Sequence, residues 1–190
     1  CRAEGVGLIV LKSLATAVEE NDHILGTIAS SVVSQSLNRS QITVPNGESQ
    51  VALHRRAMRI AGLRPNDISY IEAHGTGTSV GDPIEMSSIR EAFCQSLRSS
   101  TLYVASIKGN IGHTEASAGV AGLIKVLLMM SHDSIPEQAS HSSLNPRIPA
   151  LEPDLMAIPR RLIPWSKANR VACVTSYGAA GSNATLLVRA

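Results

Sequence analysis

The sequence predicts an α/β fold in which helices pack on a mixed β-sheet, and three observations support this class. Short runs of apolar and β-branched residues, typical of buried strands, alternate with segments whose apolar residues recur at the helical spacing. Turn-forming glycine, proline and asparagine residues separate these segments. Hydrophobic residues make up 44% of the 190 residues and aromatic residues only 3%, which indicates a core of aliphatic side chains. The predicted order is β-β-loop-α-β-α-β-α-loop-β-β.

Two strands and a loop are predicted at the start of the chain. Gly5–Leu11 and Ile24–Val33 are rich in aliphatic and β-branched residues, and a short helical turn at Leu14–Glu20 joins them. Residues 34–46 are polar and end in a Pro-Asn-Gly loop that leads into a helix. Because domains seldom begin with a buried strand so near the first residue, we expect the N-terminal portion of a larger domain to be missing.

The next segment predicts a helix followed by a buried strand. The helix has apolar or small residues at the helical spacing and ends at Gly62, a typical helix stop. Ile68–Ala73 is apolar enough for a buried strand and leads directly to His74. The positions that define the helix are Leu53, Ala57, Ile60 and Ala61.

A second helix is predicted from its start signals. Asp82 can cap it, Pro83 suits the first helical position, and Glu85 stands where a capping-box acid belongs. Apolar residues then recur at the helical spacing and give this helix one buried face. They are Met86, Ile89, Phe93 and Leu97.

The second half of the chain predicts one more strand and helix, a long loop and two closing strands. Leu102–Ser106 is a short strand, and Thr114 can cap a helix that runs to about Met130. This helix is apolar on nearly all sides, so we expect it to be buried. Residues 136–164 contain six prolines and form a long loop with room for one short strand. The closing strands are Val171–Tyr177 and Ala184–Val188.

Composition and charge exclude several classes of function. The net charge is +2 and no run of Lys or Arg is present, which argues against a nucleic-acid partner. The cysteines at 1, 94 and 173 lack the spacing of metal ligands, so we expect a reduced, cytoplasmic protein without a metal site. No signal-peptide pattern is visible, and the most apolar stretch, Gly119–Met130, is too short to cross a bilayer. We therefore expect no membrane association.

His74 and His113 are the candidate catalytic residues that the pattern itself indicates. Each follows a predicted strand and lies in a glycine-containing loop just before a helix, and α/β proteins bind ligands in such loops. We therefore expect the two rings to share one pocket. Neutral imidazoles there can donate hydrogen bonds to a developing carbanion or oxyanion, or move a proton.

Less specific interpretations compete with this one. A single histidine after a strand is more often a loop or core residue. A zinc site would need a third ligand at a suitable spacing, and the glycine- and threonine-rich turn at 75–78 lacks the Lys-Ser/Thr ending of a P-loop. The remaining histidines have polar or helix-surface surroundings and are given no direct role. They are His23, His54, His132 and His141.

Three motifs in register resemble those of a known family. The sequence reads Glu-Ala-His-Gly-Thr-Gly-Thr at 72–78, Lys-Gly-Asn-Ile-Gly-His at 108–113 and Tyr-Gly-Ala-Ala-Gly-Ser-Asn at 177–183. These motifs resemble the two histidine motifs and the closing glycine-rich turn of the β-ketoacyl synthases (ketosynthases) of type I polyketide and fatty acid synthases. In this form the third motif is similar to that of fungal iterative non-reducing polyketide synthases.

The resemblance implies a thiolase-like fold, in which two similar α/β halves form a five-layer αβαβα core. On that template, residues 1–40 are the last strands of the N-terminal half and residues 41–190 are the C-terminal half. Helices are then expected on both faces of the sheet. The complete domain is expected to be a homodimer.

The resemblance also implies a chemistry: acyl transfer to a cysteine, decarboxylation of a malonyl thioester and Claisen condensation. His74 and His113 match the histidines that assist decarboxylation and stabilise the enolate, and Lys108 matches a lysine that fixes the site electrostatically. Thr76 and Thr78 match hydroxyls that bind the phosphopantetheine arm of the acyl carrier protein. The backbone N–H of Ala179 matches an oxyanion-hole donor.

The implied partners are the acyl carrier protein, malonyl and acyl thioesters, and the N-terminal half of the same domain. No cofactor is expected to bind directly, since the phosphopantetheine arm arrives as a substrate carrier. Glu115 is expected either to pair with Lys108 or to favour a helix start through its charge, with equal weight on the two.

Two features depart from the family pattern. The nucleophilic cysteine of the family lies upstream of these motifs, and none of the three cysteines in this chain matches it. Ala179 also stands where many relatives have a bulky gating phenylalanine. A non-catalytic half-domain that docks the carrier protein is the alternative to an acyltransferase. The presence of both histidines and Lys108 favours the enzyme, and a nucleotide-binding domain is disfavoured because no phosphate-binding loop is present.

Overall fold

A computed structural model describes residues 1–36, 44–95, 98–165 and 170–190. Short 3₁₀ turns at Pro65–Asp67, Glu115–Ser117 and Glu152–Asp154 connect its helices and strands. The helices are α1 (Leu14–Glu19), α2 (Gly47–Ala61), α3 (Gly81–Phe93), α4 (Lys108–Ile111) and α5 (Ala118–Ser131). The strands are β1 (Thr27–Gln35), β2 (Tyr70–Glu72), β3 (Leu102–Ala105), β4 (Ser134–Ile135), β5 (Met156–Ala157), β6 (Ile163–Pro164), β7 (Val171–Tyr177) and β8 (Ser182–Arg189).

The main sheet has six strands in the order β1-β8-β7-β2-β3-β5. β1, β8 and β7 pair antiparallel, whereas β7, β2, β3 and β5 run parallel to one another. The mixed sheet predicted from the sequence is therefore confirmed. Because β2, β3 and β7 are parallel neighbours, the loops that follow them meet at one edge of the sheet.

Helices cover both faces of this sheet, as the resemblance implied. On one face, α2 and α3 pack against side chains such as Ile71 and Leu187. On the other face, α5 packs against Tyr70 and Val174. Burying aliphatic side chains on both faces makes this region a hydrophobic core that holds the loops at the sheet edge in place.

The predicted strand at Gly5–Leu11 is wrong. This segment has no regular secondary structure and pairs with no strand in the described part of the chain, and Val6 is 97% exposed and Leu8 81% exposed. Its glycines instead lie close to α5: the Ser117 hydroxyl donates to the Gly5 carbonyl, and Gly7 leaves no room for a side chain beside Val120. Aliphatic and β-branched content suggested a strand, but composition does not specify which element a segment packs against.

Other predicted elements are confirmed, with shifted ends. α1 matches the predicted helical turn, β7 has the predicted bounds, and Gly62 ends α2 in the left-handed conformation at φ 65°. β1 begins three residues after Ile24, where the strand was expected to start. Leu97 and residues 37–43 of the predicted polar loop lie outside the described residues.

Two predicted helix caps are wrong. α5 begins at Ala118 after a 3₁₀ turn, and Thr114 caps nothing with its side chain, because Glu115 at φ 50° interrupts the helical conformation. At the start of α3, the Gly81 N–H donates to the Thr78 hydroxyl at 3.0 Å, so Thr78 rather than Asp82 supplies the side-chain oxygen there.

The proline-rich stretch 136–164 contains more structure than predicted. β6 pairs antiparallel with β4, which lies just before this stretch, and β5 joins the edge of the main sheet beside β3. Two short strands therefore replace the single one expected. None of the helices in the described ranges is long and apolar enough to cross a membrane.

Candidate active site

A cavity of about 660 Å³ lies where the loops after β2, β3 and β7 meet. His74 and His113 both line it, with their ring centroids 5.4 Å apart and their planes nearly perpendicular at 84°. The prediction that the two histidines share one pocket is therefore confirmed. Other polar residues of the wall include Gln50, Thr76, Thr78, Glu85, Glu115 and Tyr177.

Glu85 holds the backbone of the His74 loop. The His74 N–H donates to one carboxylate oxygen at 2.7 Å and the Gly75 N–H donates to the other at 2.8 Å. The Thr175 hydroxyl on β7 lies 3.1 Å from the same carboxylate and accepts from the His74 N–H at 2.9 Å. Gly75 adopts φ 47° in this turn. Glycine adopts this left-handed conformation without a steric penalty, so the tight turn is allowed. The hydrogen bonds to Glu85 and Thr175 then fix the loop that carries the His74 ring.

Glu85 was missed as a site residue. It is 4% exposed, and burial raises the pKa of its carboxyl, while the hydrogen bonds from Gly75 and His74 oppose that rise. Its position near a helix start suggested a capping box, but its carboxylate points across to the β2 loop instead. A glutamate near the start of a helix fits both a capping box and a contact with a neighbouring loop, so the sequence alone did not distinguish the two interpretations.

His74 is held in its neutral form. Burial, assisted by the positive charge of Lys108 and by His113, lowers the pKa of His74 to about 3. Its Nδ1 is buried and has no hydrogen-bond partner within the described ranges. A neutral imidazole with a free ring nitrogen is ready to exchange a hydrogen bond with a ligand in the cavity.

The ring of His113 is oriented by its own backbone. The Glu115 N–H donates to Nδ1 of His113 at 3.1 Å, so in the neutral ring the proton resides on Nε2. Gly112, at φ 77°, turns the chain out of α4 to bring His113 there. The first residues of the chain support this loop, since the His113 N–H donates to the Cys1 carbonyl and the Ala3 N–H to the His113 carbonyl, both at 2.9 Å.

Lys108 lies outside the cavity wall but influences it electrostatically. Burial lowers the pKa of its ammonium, and the carboxylates of Glu72 and Glu85 counteract that shift. Glu72, 2% exposed, accepts from the Ile107 N–H at 2.6 Å and from Lys125 Nζ at 2.8 Å. Glu72 therefore anchors the start of α4, the element that carries Lys108.

Thr76, Thr78 and Ala179, the other candidate site residues, lie on the cavity wall. Thr76 is half-buried, and Thr78 is exposed with its oxygen already accepting from Gly81. Ala179 lies in the tight turn between β7 and β8, closed by the Gly181 N–H donating to the Gly178 carbonyl at 2.9 Å. Its N–H donates to no acceptor among the described residues. The side chain there is a methyl group, which leaves this side of the cavity unobstructed.

Tyr177 and His54 form a second layer behind His74. The Tyr177 ring lies 5.7 Å from the His74 ring, and its hydroxyl lies 3.1 Å from Nε2 of His54. His54 was expected on a helix surface, but it is 1% exposed, and burial lowers its pKa to about 4. Neutral His54 therefore shares one hydrogen bond with the Tyr177 hydroxyl. The sequence contained a signal for this burial, since His54 lies three residues before Ala57 on the apolar side of α2.

The sequence profile described as "Beta-ketoacyl synthase, C-terminal domain" matches residues 25–142. The chain belongs to the β-ketoacyl synthase family. Among solved structures, it superimposes on the ketosynthase from module 6 of the bacillaene synthase of Bacillus subtilis 168 with a TM-score of 0.89 and 37% identity, covering 94% of this chain and 33% of that one. The predicted thiolase-like ketosynthase fold is therefore confirmed.

Curated relatives are much longer proteins. The non-reducing polyketide synthase mapC of Penicillium roqueforti is 56% identical over 190 residues, which cover 100% of this chain and 8% of that protein. The 5-methylorsellinic acid synthase of Aspergillus terreus is 57% identical over 188 residues, 99% of this chain and 7% of that protein. This β-ketoacyl synthase chain thus spans less than a tenth of the relatives that it matches.

In this β-ketoacyl synthase chain, Glu115 was expected to pair with Lys108 or to favour a helix start. Glu115 forms an ion pair with Arg2 at 3.5 Å, with both side chains more than half exposed, so the proposed pairing with Lys108 is wrong. In the described ranges, no three His, Cys, Asp or Glu residues are grouped as metal ligands.

The cysteines occupy three different settings. Cys173 is buried, and burial raises the pKa of its thiol to about 12. Cys94 is partly buried, and desolvation raises its thiol pKa as well. Cys1 is exposed and lines the cavity. Cys94 and Cys173 are therefore packed within the fold, and Cys1 is the one of the three that reaches the cavity.

Proposed function

We propose that this chain is the C-terminal part of the ketosynthase domain of a polyketide synthase and carries its decarboxylation machinery. The reaction is the decarboxylative Claisen condensation of a malonyl thioester with a growing acyl chain, so the enzyme is an acyltransferase. One observation carries the proposal: two histidines lie 5.4 Å apart in one cavity, and burial keeps His74 neutral. The names of the relatives support the same reaction class.

Decarboxylation breaks the C–C bond to the carboxylate of the malonyl thioester and releases carbon dioxide. The electron pair of that bond stays on the remaining acetyl thioester as an enolate. The negative charge develops on the thioester oxygen, where hydrogen-bond donors stabilise it more strongly than they stabilise the starting thioester. Nε2–H of His113 and an N–H of neutral His74 are the proposed donors. Lys108 adds a positive charge behind them, held in place through Glu72.

Condensation then joins the enolate carbon to the acyl carbonyl. The new C–C bond forms as the C–S bond to the acylated cysteine breaks, and the thiolate leaves with the electron pair. The N–H of Ala179, which donates to no described acceptor, is the proposed donor to the carbonyl oxygen as it becomes an oxyanion. The nucleophilic cysteine belongs to the N-terminal half of the domain, upstream of this chain.

The proposed partners follow from this chemistry. Malonyl and acyl groups arrive on the phosphopantetheine arm of an acyl carrier protein, for which Thr76 and Thr78 are the proposed contacts. The N-terminal half of the domain completes the site, and the whole domain forms a homodimer. The division of the chain at residue 40 remains a prediction; β1 in the first segment hydrogen-bonds to β8 in the second, so both share one sheet.

The test compares two partial reactions in a complete ketosynthase domain that carries this chain. His113→Ala removes a donor needed only as negative charge develops, so release of carbon dioxide from the malonyl thioester should fall roughly 10²–10³-fold. Acyl loading of the upstream cysteine should fall much less. His132→Ala, which removes an exposed histidine outside the cavity, is the matched control. Equal loss of both steps would make His113 structural, and wild-type acyl-carrier binding without either step would indicate a docking domain.

A further inference from the structure

The cavity wall contains a buried amide that the mechanism does not use. Gln50 lies at the end of the first turn of α2, is 1% exposed and lines the cavity that holds His74 and His113. Its Oε1 has no hydrogen-bond partner in the described part of the chain. Its backbone N–H donates to the Asn46 carbonyl at 3.2 Å, so the backbone is satisfied and the unpaired atom is Oε1.

An unpaired buried carbonyl is costly, on the order of 1–3 kcal/mol. Neighbouring polar groups of the wall have partners elsewhere: the Asn183 amide donates to the Ser36 hydroxyl at 2.8 Å, and the Asn46 side chain accepts from the Ser49 N–H at 2.8 Å. Buried polar groups without a partner are rare in folded proteins and call for an explanation. Because Gln50 lines a ligand-sized cavity, a ligand that donates a hydrogen bond to Oε1 would explain the unpaired carbonyl.

The position of Gln50 on α2 also favours contact with a ligand in the cavity. Gln50 precedes His54 by one helical turn and therefore lies on the same side of α2. His54 contacts the Tyr177 hydroxyl, and the Tyr177 ring contacts His74. The Gln50 amide thus belongs to the side of the cavity that is continuous with the proposed catalytic histidines.

The chemistry of the unpaired oxygen restricts what it can bind. Oε1 only accepts hydrogen bonds, so the complementary group carries an O–H or N–H donor. A malonyl carboxylate, a thioester carbonyl and a simple ketone all lack a donor. An enolised 1,3-dicarbonyl has an O–H donor, and a secondary amide has an N–H donor. A fully reduced alkyl chain has neither group.

We propose that Gln50 is a substrate-binding residue whose Oε1 accepts a hydrogen bond from a donor of the bound thioester. Two parts of that substrate carry a donor: the O–H of the enolised β-ketoacyl chain and the N–H groups of the phosphopantetheine arm. The proposal rests on the proposed function, because it takes acyl-pantetheine thioesters as the ligands. It adds to that function a residue that discriminates between ligands by their hydrogen-bonding groups.

The test measures equilibrium binding, which does not require chemistry. Gln50→Met keeps the length of the side chain and removes both polar atoms, and Gln95→Met changes an exposed glutamine outside the cavity as a control. The probes are acetoacetyl-pantetheine, butyryl-pantetheine, acetoacetyl-ethanethiol and butyryl-ethanethiol. Dissociation constants are measured by NMR titration of the complete domain with its upstream cysteine replaced by alanine, so that no acyl transfer occurs.

We expect Gln50→Met to weaken binding about tenfold, the scale of one lost hydrogen bond. Weakening confined to the two acetoacetyl probes supports the proposal with the acyl chain as the source of the donor. Weakening confined to the two pantetheine probes supports it with the arm as the source. No change, or an equal change with all four probes, would overturn it. Failure of the proposed function is seen separately, as absent acyl loading and carbon dioxide release in the unmodified domain.

Discussion

At the scale of single residues, burial determines the charge of the two histidines on either side of Tyr177. His74 and His54 both have lowered pKa values, of about 3 and about 4, and burial is the main cause in each case. They differ in what they face. His74 lines the cavity with an unpaired Nδ1, whereas His54 is enclosed and paired to Tyr177. The same physical effect therefore leaves one ring available to a ligand and holds the other in a hydrogen bond within the fold.

The enclosed histidine gives a pH prediction. In the unfolded chain His54 titrates near its ordinary pKa of 6.5, but in the folded chain burial lowers that pKa to about 4. As the pH falls through this interval, only the unfolded chain gains the proton, so the free energy of unfolding should fall by about 3 kcal/mol. The contribution is fully present above pH 6.5.

Denaturant unfolding of the complete domain at several pH values measures this effect. The comparison is with His54→Gln, which keeps an acceptor for the Tyr177 hydroxyl but does not titrate. The difference in unfolding free energy between the two proteins should shrink as the pH falls from 6.5 to about 4. A difference that stays constant over that interval would contradict the assignment of His54 as buried and neutral.

A second prediction at this scale concerns Thr76. Thr76→Val removes a hydroxyl from the cavity wall without changing the shape of the side chain much. If that hydroxyl binds the carrier arm equally in the ground and transition states, the apparent Michaelis constant for acyl carrier protein should rise more than turnover falls. Steady-state kinetics of the complete domain decide the point, with Thr101→Val, outside the cavity wall, as the control. A loss of turnover alone would assign Thr76 a different role.

At the scale of elements, α3 positions the His74 loop through one carboxylate. Glu85 of α3 accepts from the His74 and Gly75 N–H groups and contacts Thr175 of β7, so it joins a helix, a strand and the loop that follows β2. A buried carboxylate that accepts several hydrogen bonds contributes far more to stability than an exposed one. The same helix provides the comparison, since Glu91 pairs with Arg55 at 3.2 Å with both side chains half exposed.

Glu85→Gln should therefore destabilise the domain by about 1–3 kcal/mol, because one backbone N–H of the His74 loop then faces the amide N–H₂ instead of an acceptor. Carbon dioxide release should fall as well, since the His74 ring loses its fixed position. Glu91→Gln should change the unfolding free energy by less than about 1 kcal/mol. Thermal unfolding and the decarboxylation assay test both variants. If the two behaved alike, the carboxylate of Glu85 would have no special role in holding the loop.

The elements themselves were largely predictable from the sequence, because periodicity and turn residues are local properties. The bounds of β7 and the end of α2 at Gly62 illustrate this. What the sequence did not reveal depends on contacts between distant residues. The segment Gly5–Leu11 has the composition of a strand but packs beside α5. The Lys125 ammonium donates to the Glu72 carboxylate, although the two residues are 53 positions apart in the sequence. Likewise, the strand-and-loop pattern that indicated His74 did not indicate that Glu85 holds the His74 loop in place.

At the scale of the whole molecule, the first part of the chain exposes an apolar surface. Val6, Leu8 and Val10 of the segment Gly5–Leu11 are 97%, 81% and 88% exposed, and Val33 on β1 is 67% exposed. Exposed apolar side chains that cluster in this way mark interfaces. The solved ketosynthase from Bacillus subtilis that this chain matches is about three times as long, since the chain covers 33% of it. Under the proposed function, the N-terminal half of the domain packs against this surface and brings the nucleophilic cysteine to the cavity.

The last prediction concerns the chain by itself. The 190 residues contain three cysteines, and we expect none of them to accept an acyl group from an acyl thioester at a catalysed rate. Attack requires the thiolate, and burial raises the thiol pKa of Cys173 to about 12 and that of Cys94 above its ordinary value. Cys1 is the sharpest test, because it is exposed and lines the cavity near His113, yet its side chain makes no hydrogen bond to a histidine within the described ranges. Mass spectrometry of the isolated chain after incubation with acetyl-pantetheine measures loading, with the free tripeptide glutathione as the reference for uncatalysed thiol acylation. Loading of Cys1 faster than this reference, and abolished by Cys1→Ala, would show that this chain carries its own nucleophile and would contradict the division of the site between two halves.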